Sequence, residues 1–165
     1  MTTAKFLRNL LRDQWGQGDL YQGVEKPRIV HEGEADRRAV HTGDTDVIFC
    51  IDGGTPEFTP QSIGYREEYI AIKLDAELLT SVGRERLLGP LDETYGGLEG
   101  ETRRILQKFR KGVPDSASVT NPGYDVMRVD TFNDQIGETG AGLWKGTWSV
   151  TLITYAKQIQ QDSIK

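Results

Sequence analysis

With a single cysteine, Cys50, the chain can form no internal disulfide and no cysteine-cluster zinc site. Cys50 lies in the apolar run "DVIFCI", where a free thiol behaves as a small core hydrophobe. Long apolar runs are missing as well. No stretch approaches the roughly 18 residues of a membrane span, and "MTTAKFLRNLLRDQW" lacks the apolar core of a secretion signal. The expectation is a soluble protein made in a cytoplasm, with no membrane partner. A basic excess is also lacking: 20 Lys and Arg stand against 25 Asp and Glu, giving a net charge of -5. A dedicated nucleic-acid binder usually needs a basic face to displace counterions, so the balance argues against one, although a local patch can oppose the net sign.

What is present is ordinary globular material. The 36% hydrophobic and 27% charged residues suit a folded soluble domain. A chain of 165 residues makes one domain burying about 70% of its unfolded surface. The reading is a single domain over residues 1–157, with a polar tail, 158–165, that has too little apolar content to insist on structure.

Residues 4–15 carry Phe6, Leu7, Leu10, Leu11 and Trp15 at helical spacing, with Lys5, Arg8, Arg12 and Asp13 off that stripe. Thr2 or Thr3 can cap its start, and "GQG" ends it. A short strand follows at "PRIVHE". Residues 32–45, "EGEADRRAVHTGDT", are charged and aperiodic, which in a compact domain marks a functional or mobile loop. "DVIFCIDGG" and "YREEYIAIKLDAE" read as an antiparallel strand pair joined by the turn-rich "GTPEFTPQS". In the second run Ile70, Ile72 and Leu74 share one face, while Ala71, Lys73 and Asp75 share the other.

The strongest helical pattern spans roughly 92–111, where Leu91, Tyr95, Leu98, Thr102, Ile105 and Phe109 form one stripe. Gly96, Gly97 and Gly100 weaken its first turns, so the firm part begins near Leu98. "YDVMRVDTF" and "LWKGTWSVTLITYA" supply the last two strands. In the latter Trp144, Trp148, Val150 and Leu152 alternate with Lys145, Thr147, Ser149 and Thr151. The order α-β-β-β-α-β-β predicts an α+β fold: an antiparallel or mixed sheet with both helices packed on one face.

Residues that could do chemistry do not assemble into a known pattern. His31 and His41 are not at the i, i+4 spacing of a metalloprotease pair. Asp44, Asp46 and Asp52 bracket one strand and Lys73 lies on the next, inviting comparison with metal-dependent nucleases. That comparison needs an acid two residues before the lysine, where Ala71 stands. "IDGGTP" and "GETGAGLWKGT" match neither a phosphate loop nor a dinucleotide fingerprint and read as turns. Ser81, Ser116 and Ser118 lack a partner histidine in any nucleophile motif. No catalytic residue, metal ligand or cofactor is expected. Arg103, Arg104, Lys108, Arg110 and Lys111 form a basic set on the outward face and end of the second helix, with Glu99 placed to pair with Arg103.

The stretches "GRERLLGPLDETYGGLEGETRRILQKFR" and "GYDVMRVDTFNDQIGETGAGLWKGTWSVTLITY" resemble the tail-terminator (tail-completion) proteins of long-tailed phages and archaeal tailed viruses. The resemblance is one of layout and hydrophobic phrasing over residues 1–157, strongest in "LWKGTW". It implies a non-enzymatic virion protein that forms a ring, typically of six subunits, at the head-proximal end of the tail tube. Such a protein would contact itself, the tail-tube protein and a head–tail connector or stopper protein, while viral DNA passes through the lumen without sequence-specific binding. The assembly surfaces it implies are the charged loop (Glu34, Asp36, Arg37, Arg38), the hairpin tip (Glu138, Thr139) and the basic helix face (Arg103, Arg104, Lys108). Two other readings fit the same layout: another neck or head-completion connector protein, and a monomeric cytoplasmic ligand-binding α+β domain with Trp144 and Trp148 flooring a pocket.

Overall fold

A computed structural model describes residues 3–18, 23–31, 46–52, 57–60, 68–89, 96–111, 124–135 and 144–155. The elements are α1 (Thr3–Gln14), β1 (Arg28–His31), β2 (Asp46–Asp52), β3 (Glu57–Pro60), β4 (Glu68–Thr80), α2 (Arg84–Leu88), α3 (Gly97–Lys108), β5 (Val126–Gln135) and β6 (Trp144–Tyr155). The fold is α+β. Its six-stranded sheet runs β1-β2-β4-β6-β5, with β3 pairing the first part of β4. β2 and β4 form the expected antiparallel pair, and β4–β6, β5–β6 and β3–β4 are antiparallel too. β1 lies parallel to β2, which makes the sheet mixed.

Two elements go beyond the order read from sequence. β3 sits inside the turn-rich stretch, ending at Pro60, and α2 is a five-residue helix after the end of β4. A four-residue strand and a single helical turn and a half are too short for periodicity to announce them.

Alternation decides which face of the sheet takes the helices. Ile48, Cys50, Leu74, Ala76, Leu78, Trp148, Val150 and Leu152 point to one side and join Phe6, Leu7, Leu10 and Leu11 of α1 and Leu98, Ile105 and Leu106 of α3 in one buried cluster. The helices therefore pack on one face, each burying an apolar stripe worth about 1.5–3 kcal/mol per large side chain. The other face is divided. Val30, Val47, Phe49 and Leu79 form a small apolar cluster at the β1–β2 side. Lys73, Asp75, Ser149, Thr151, Arg128 and Asp130 line its β4-β6-β5 side.

Three local devices fix the helices on this sheet. The start of α1 is capped from a distance: Asp52, at the end of β2, accepts the backbone N–H of Ala4 at 3.1 Å. Thr3 is already helical, so this carboxylate takes the role expected of a local threonine. At the opposite end of β2, Asp46 accepts from Thr80 Oγ1 (2.5 Å) and Arg86 Nε (3.0 Å), while Arg86 also donates to the Glu25 carbonyl at 2.6 Å. α3 starts at Gly97, beside the Leu98 start expected for its firm part, and the φ of Gly97 is 64°. A Cβ there would stand 2.7 Å from both the Arg86 carbonyl oxygen and the Gly89 nitrogen, so the α2–α3 junction requires glycine twice over.

Candidate functional site

The basic set on α3 is sorted by the structure into two groups. Glu99 and Glu101, in the first turns, are buried and each takes one arginine. Arg103 Nε lies 3.9 Å from Glu99 Oε1. Arg104 donates to Glu101 through Nε at 2.9 Å and again through a terminal nitrogen, which also reaches the carbonyl of Gln14 at 3.3 Å. That last bond places a guanidinium at the C-terminal end of α1, where the helix dipole favours a cation. Arg104 is thus not on an outward face, as its sequence position suggests. Its side chain is 13% exposed and ties α3 to α1.

Lys108, Arg110 and Lys111 form the second group, and all three are exposed. The backbone that carries them is held firmly. Tyr124 Oη donates to the Phe109 carbonyl at 2.8 Å, and the Met127 N–H donates to the Arg110 carbonyl at 2.7 Å. Burial pushes the Tyr124 phenol up to about 12, so it stays a donor through the physiological range. Lys108 Nζ lies 5.5 Å from the centroid of the buried Phe109 ring.

Of the other residues expected at assembly surfaces, Glu34, Asp36, Arg37, Arg38, Glu138 and Thr139 lie outside the described residues, as do His41, Asp44, Ser116 and Ser118. The nuclease-like acids can be tested in part. Asp46 and Asp52 occupy opposite ends of β2, about 20 Å apart at strand rise, and each is engaged in the structural bonds above. Lys73 points away from the helices, near the middle of β4. The three do not converge. Among the described residues no group of three His, Cys, Asp or Glu could hold a metal ion.

Cys50 is fully buried, and loss of solvation pushes its thiol far above the usual range. His31 closes β1 with its pKa held below the ordinary value, first by burial and then by the nearby Arg8, Lys5 and Arg12 charges. Trp148 is a core residue and not the floor of a pocket: it is 5% exposed, donates from Nε1 to the Glu99 carbonyl at 3.2 Å, and packs 5.1 Å from Phe132.

The strand register builds one polar constellation that sequence order did not gather. Lys73, Thr151 and Arg128 align in one row across β4, β6 and β5, and Asp75 and Ser149 align in the next. β5 takes three steps from Val129 to Phe132 while β6 takes two between their partners, Val150 and Trp148, a bulge that locally re-aims β5 beside this row. Ser149 donates to Asp75 (3.0 Å), Thr151 to Asp130 (3.3 Å) and Arg128 to Asp130 (3.0 Å) around an open depression of about 340 Å³. Two acids and two cations so disposed neutralise one another, and the hydroxyls are spent on the acids. The sequence signal was the polar half of the alternation in β4 and β6, which only the register turns into neighbours. A second open depression, about 490 Å³, lies along α1 and β1 and is lined by Arg12, Lys26, Pro27, Arg28, Ile29 and Val30.

No helix among the described residues is long and apolar enough to cross a membrane. Compared with models of protein families and with curated proteins, the chain matches none.

Proposed function

We propose that this chain is a structural protein of a tailed virus, of the tail-terminator class. In this reading it forms a ring at the head-proximal end of the tail tube, ends tail growth and joins the tail to the head connector. The observation that carries the reading is the β5–β6 hairpin. The two phrases that resemble the terminator pattern, "YDVMRVDTF" and "LWKGTWSVTLITY", are neighbours in one antiparallel pair, and Gly146 of "LWKGTW" seats the ring of Phe132 from the other phrase. Further support comes from the sheet edges. β1 bounds one side and the ten-residue β5 the other, so the two edges differ, as a head-to-tail ring requires.

The test is native mass spectrometry of the full chain, alone and with the tail-tube protein of the same virus. A closed ring in either condition is expected, and deletion of residues 136–142, which connect β5 to β6, abolishes it. A strict monomer in both conditions overturns the reading.

A further inference from the structure

We propose that the end of α3 and the turn that follows it, carrying Lys108, Arg110 and Lys111, form a sequence-independent contact surface for the phosphate backbone of duplex DNA. The inference rests on the terminator reading only for which DNA it meets, the genome in the tail lumen. The surface itself is argued from charge and geometry.

Five cations lie between residues 103 and 111, and the structure assigns only two of them to the fold. Arg103 and Arg104 belong to Glu99, Glu101 and the end of α1. Lys108, Arg110 and Lys111 pair with no acid among the described residues. Cations at a helix C-terminus often serve the last carbonyls. Here the Ile105 carbonyl takes the Phe109 N–H, the Phe109 carbonyl takes Tyr124 Oη, and the Arg110 carbonyl takes the Met127 N–H. None of the three side chains makes a capping bond, and all three are exposed, Lys108 with its Nζ over the Phe109 ring.

The kind of partner follows from what accompanies the charges. Phe109, the one large apolar side chain of the turn, is buried, and its exposed helical neighbour is Gln107. Protein interfaces are centred on apolar or aromatic anchors with charge at the rim. A patch of three cations without such an anchor suits a phosphate backbone, where neutralised charge alone supplies the affinity. The backbone bonds from Tyr124 and Met127 give the patch a rigid base on the sheet, so little order is lost on contact.

Fluorescence anisotropy of a labelled random-sequence duplex, titrated with the full chain over a range of salt, tests this. Three phosphates neutralised per subunit give a log–log salt slope of about -2.7, a fall in affinity of about 40-fold between roughly 50 and 200 mM salt. The triple variant Lys108→Gln, Arg110→Gln, Lys111→Gln loses that slope and binds at least about tenfold more weakly at low salt. A charge-matched variant at the α1–β1 edge, Lys5→Gln, Lys26→Gln, Arg28→Gln, keeps both. All six residues are exposed, and the single variant Lys111→Gln, with a slope reduced by about 0.9, repeats the test should the triple fold poorly. Equal losses in both triple variants would mean net charge alone, and overturn the proposal. So would an absence of duplex binding by the unaltered chain, or a triple variant that fails only to assemble, which would make the turn a subunit contact. Native mass spectrometry of the same samples separates the two readings. A ring indifferent to the α3 substitutions and to duplex leaves the terminator reading standing without this surface, and a monomer that binds duplex through α3 does the reverse.

Discussion

A methyl group added at residue 146 would lie 2.1 Å from Phe132 Cζ, far inside van der Waals contact. Gly146 stands diagonally across from Phe132 in the β5–β6 pair, and the bare backbone there makes room for the tip of the ring, which is tilted against Trp148. In an ordinary strand, replacing glycine with valine would be favourable, because the β-branched side chain suits a pleated surface. Here Gly146→Val is expected to cost about 1–3 kcal/mol, the penalty of overpacking a filled site. Phe132→Ala in the same background should recover much of that loss, giving a coupling of about 1 kcal/mol or more in a double-mutant cycle by urea unfolding. Additive effects would show that the ring moves aside without cost. Trp148 deepens the same pocket of contacts, since its indole N–H is committed to the Glu99 carbonyl and cannot follow a displaced Phe132 freely.

At the scale of elements, the helices and strands are joined less by their own ends than by acids placed far away in sequence. Asp46 is the clearest case: it opens β2, yet it holds the end of β4 through Thr80 and positions α2 through Arg86. Its side chain and that of Arg86 are 10% and 16% exposed, so removal of either leaves a nearly buried charge. Asp46→Ala is expected to destabilise by about 3 kcal/mol, as breaking a buried pair does, and Asp46→Ala with Arg86→Met by less than the sum of the two single changes. Thermal or denaturant unfolding of the four proteins checks it. These links also show where sequence reading stops. The stripes of α1 and α3 and the alternation of β4 and β6 were legible because each is a period within one segment. The parallel pairing of β1, the distant cap of Ala4 by Asp52, and the burial of Arg104 against Gln14 were not, since each depends on which segments become neighbours. The basic set on α3 was legible as a charge run. Its division into two arginines held by Glu99 and Glu101 and three outward cations required knowing where α1 ends.

For the whole molecule, a ring requires that the surface offered to one neighbour differ from the surface offered to the other. The sheet meets that condition, with the short β1 parallel to its partner at one edge and the long bulged β5 at the opposite edge. Two kinds of crippled subunit then have a defined behaviour when mixed. One carries Glu138→Arg and Thr139→Arg in the segment between β5 and β6, and the other carries Glu34→Arg and Asp36→Arg in the segment between β1 and β2, so that the two sets of added charges repel and cannot complement each other. If each pair of substitutions spoils one of two unlike surfaces, neither protein closes a ring alone. An equimolar mixture still has one good surface on each partner and stops at a heterodimer, which native mass spectrometry resolves by mass. A two-fold interface would behave otherwise, because each subunit presents the same patch to its partner and a spoiled patch is spoiled on both sides. A mixture that yields only monomers, or one that restores full rings, therefore excludes a heterologous contact built from these two segments. The heterodimer alone is the signature of a chain made to polymerise in one direction and close.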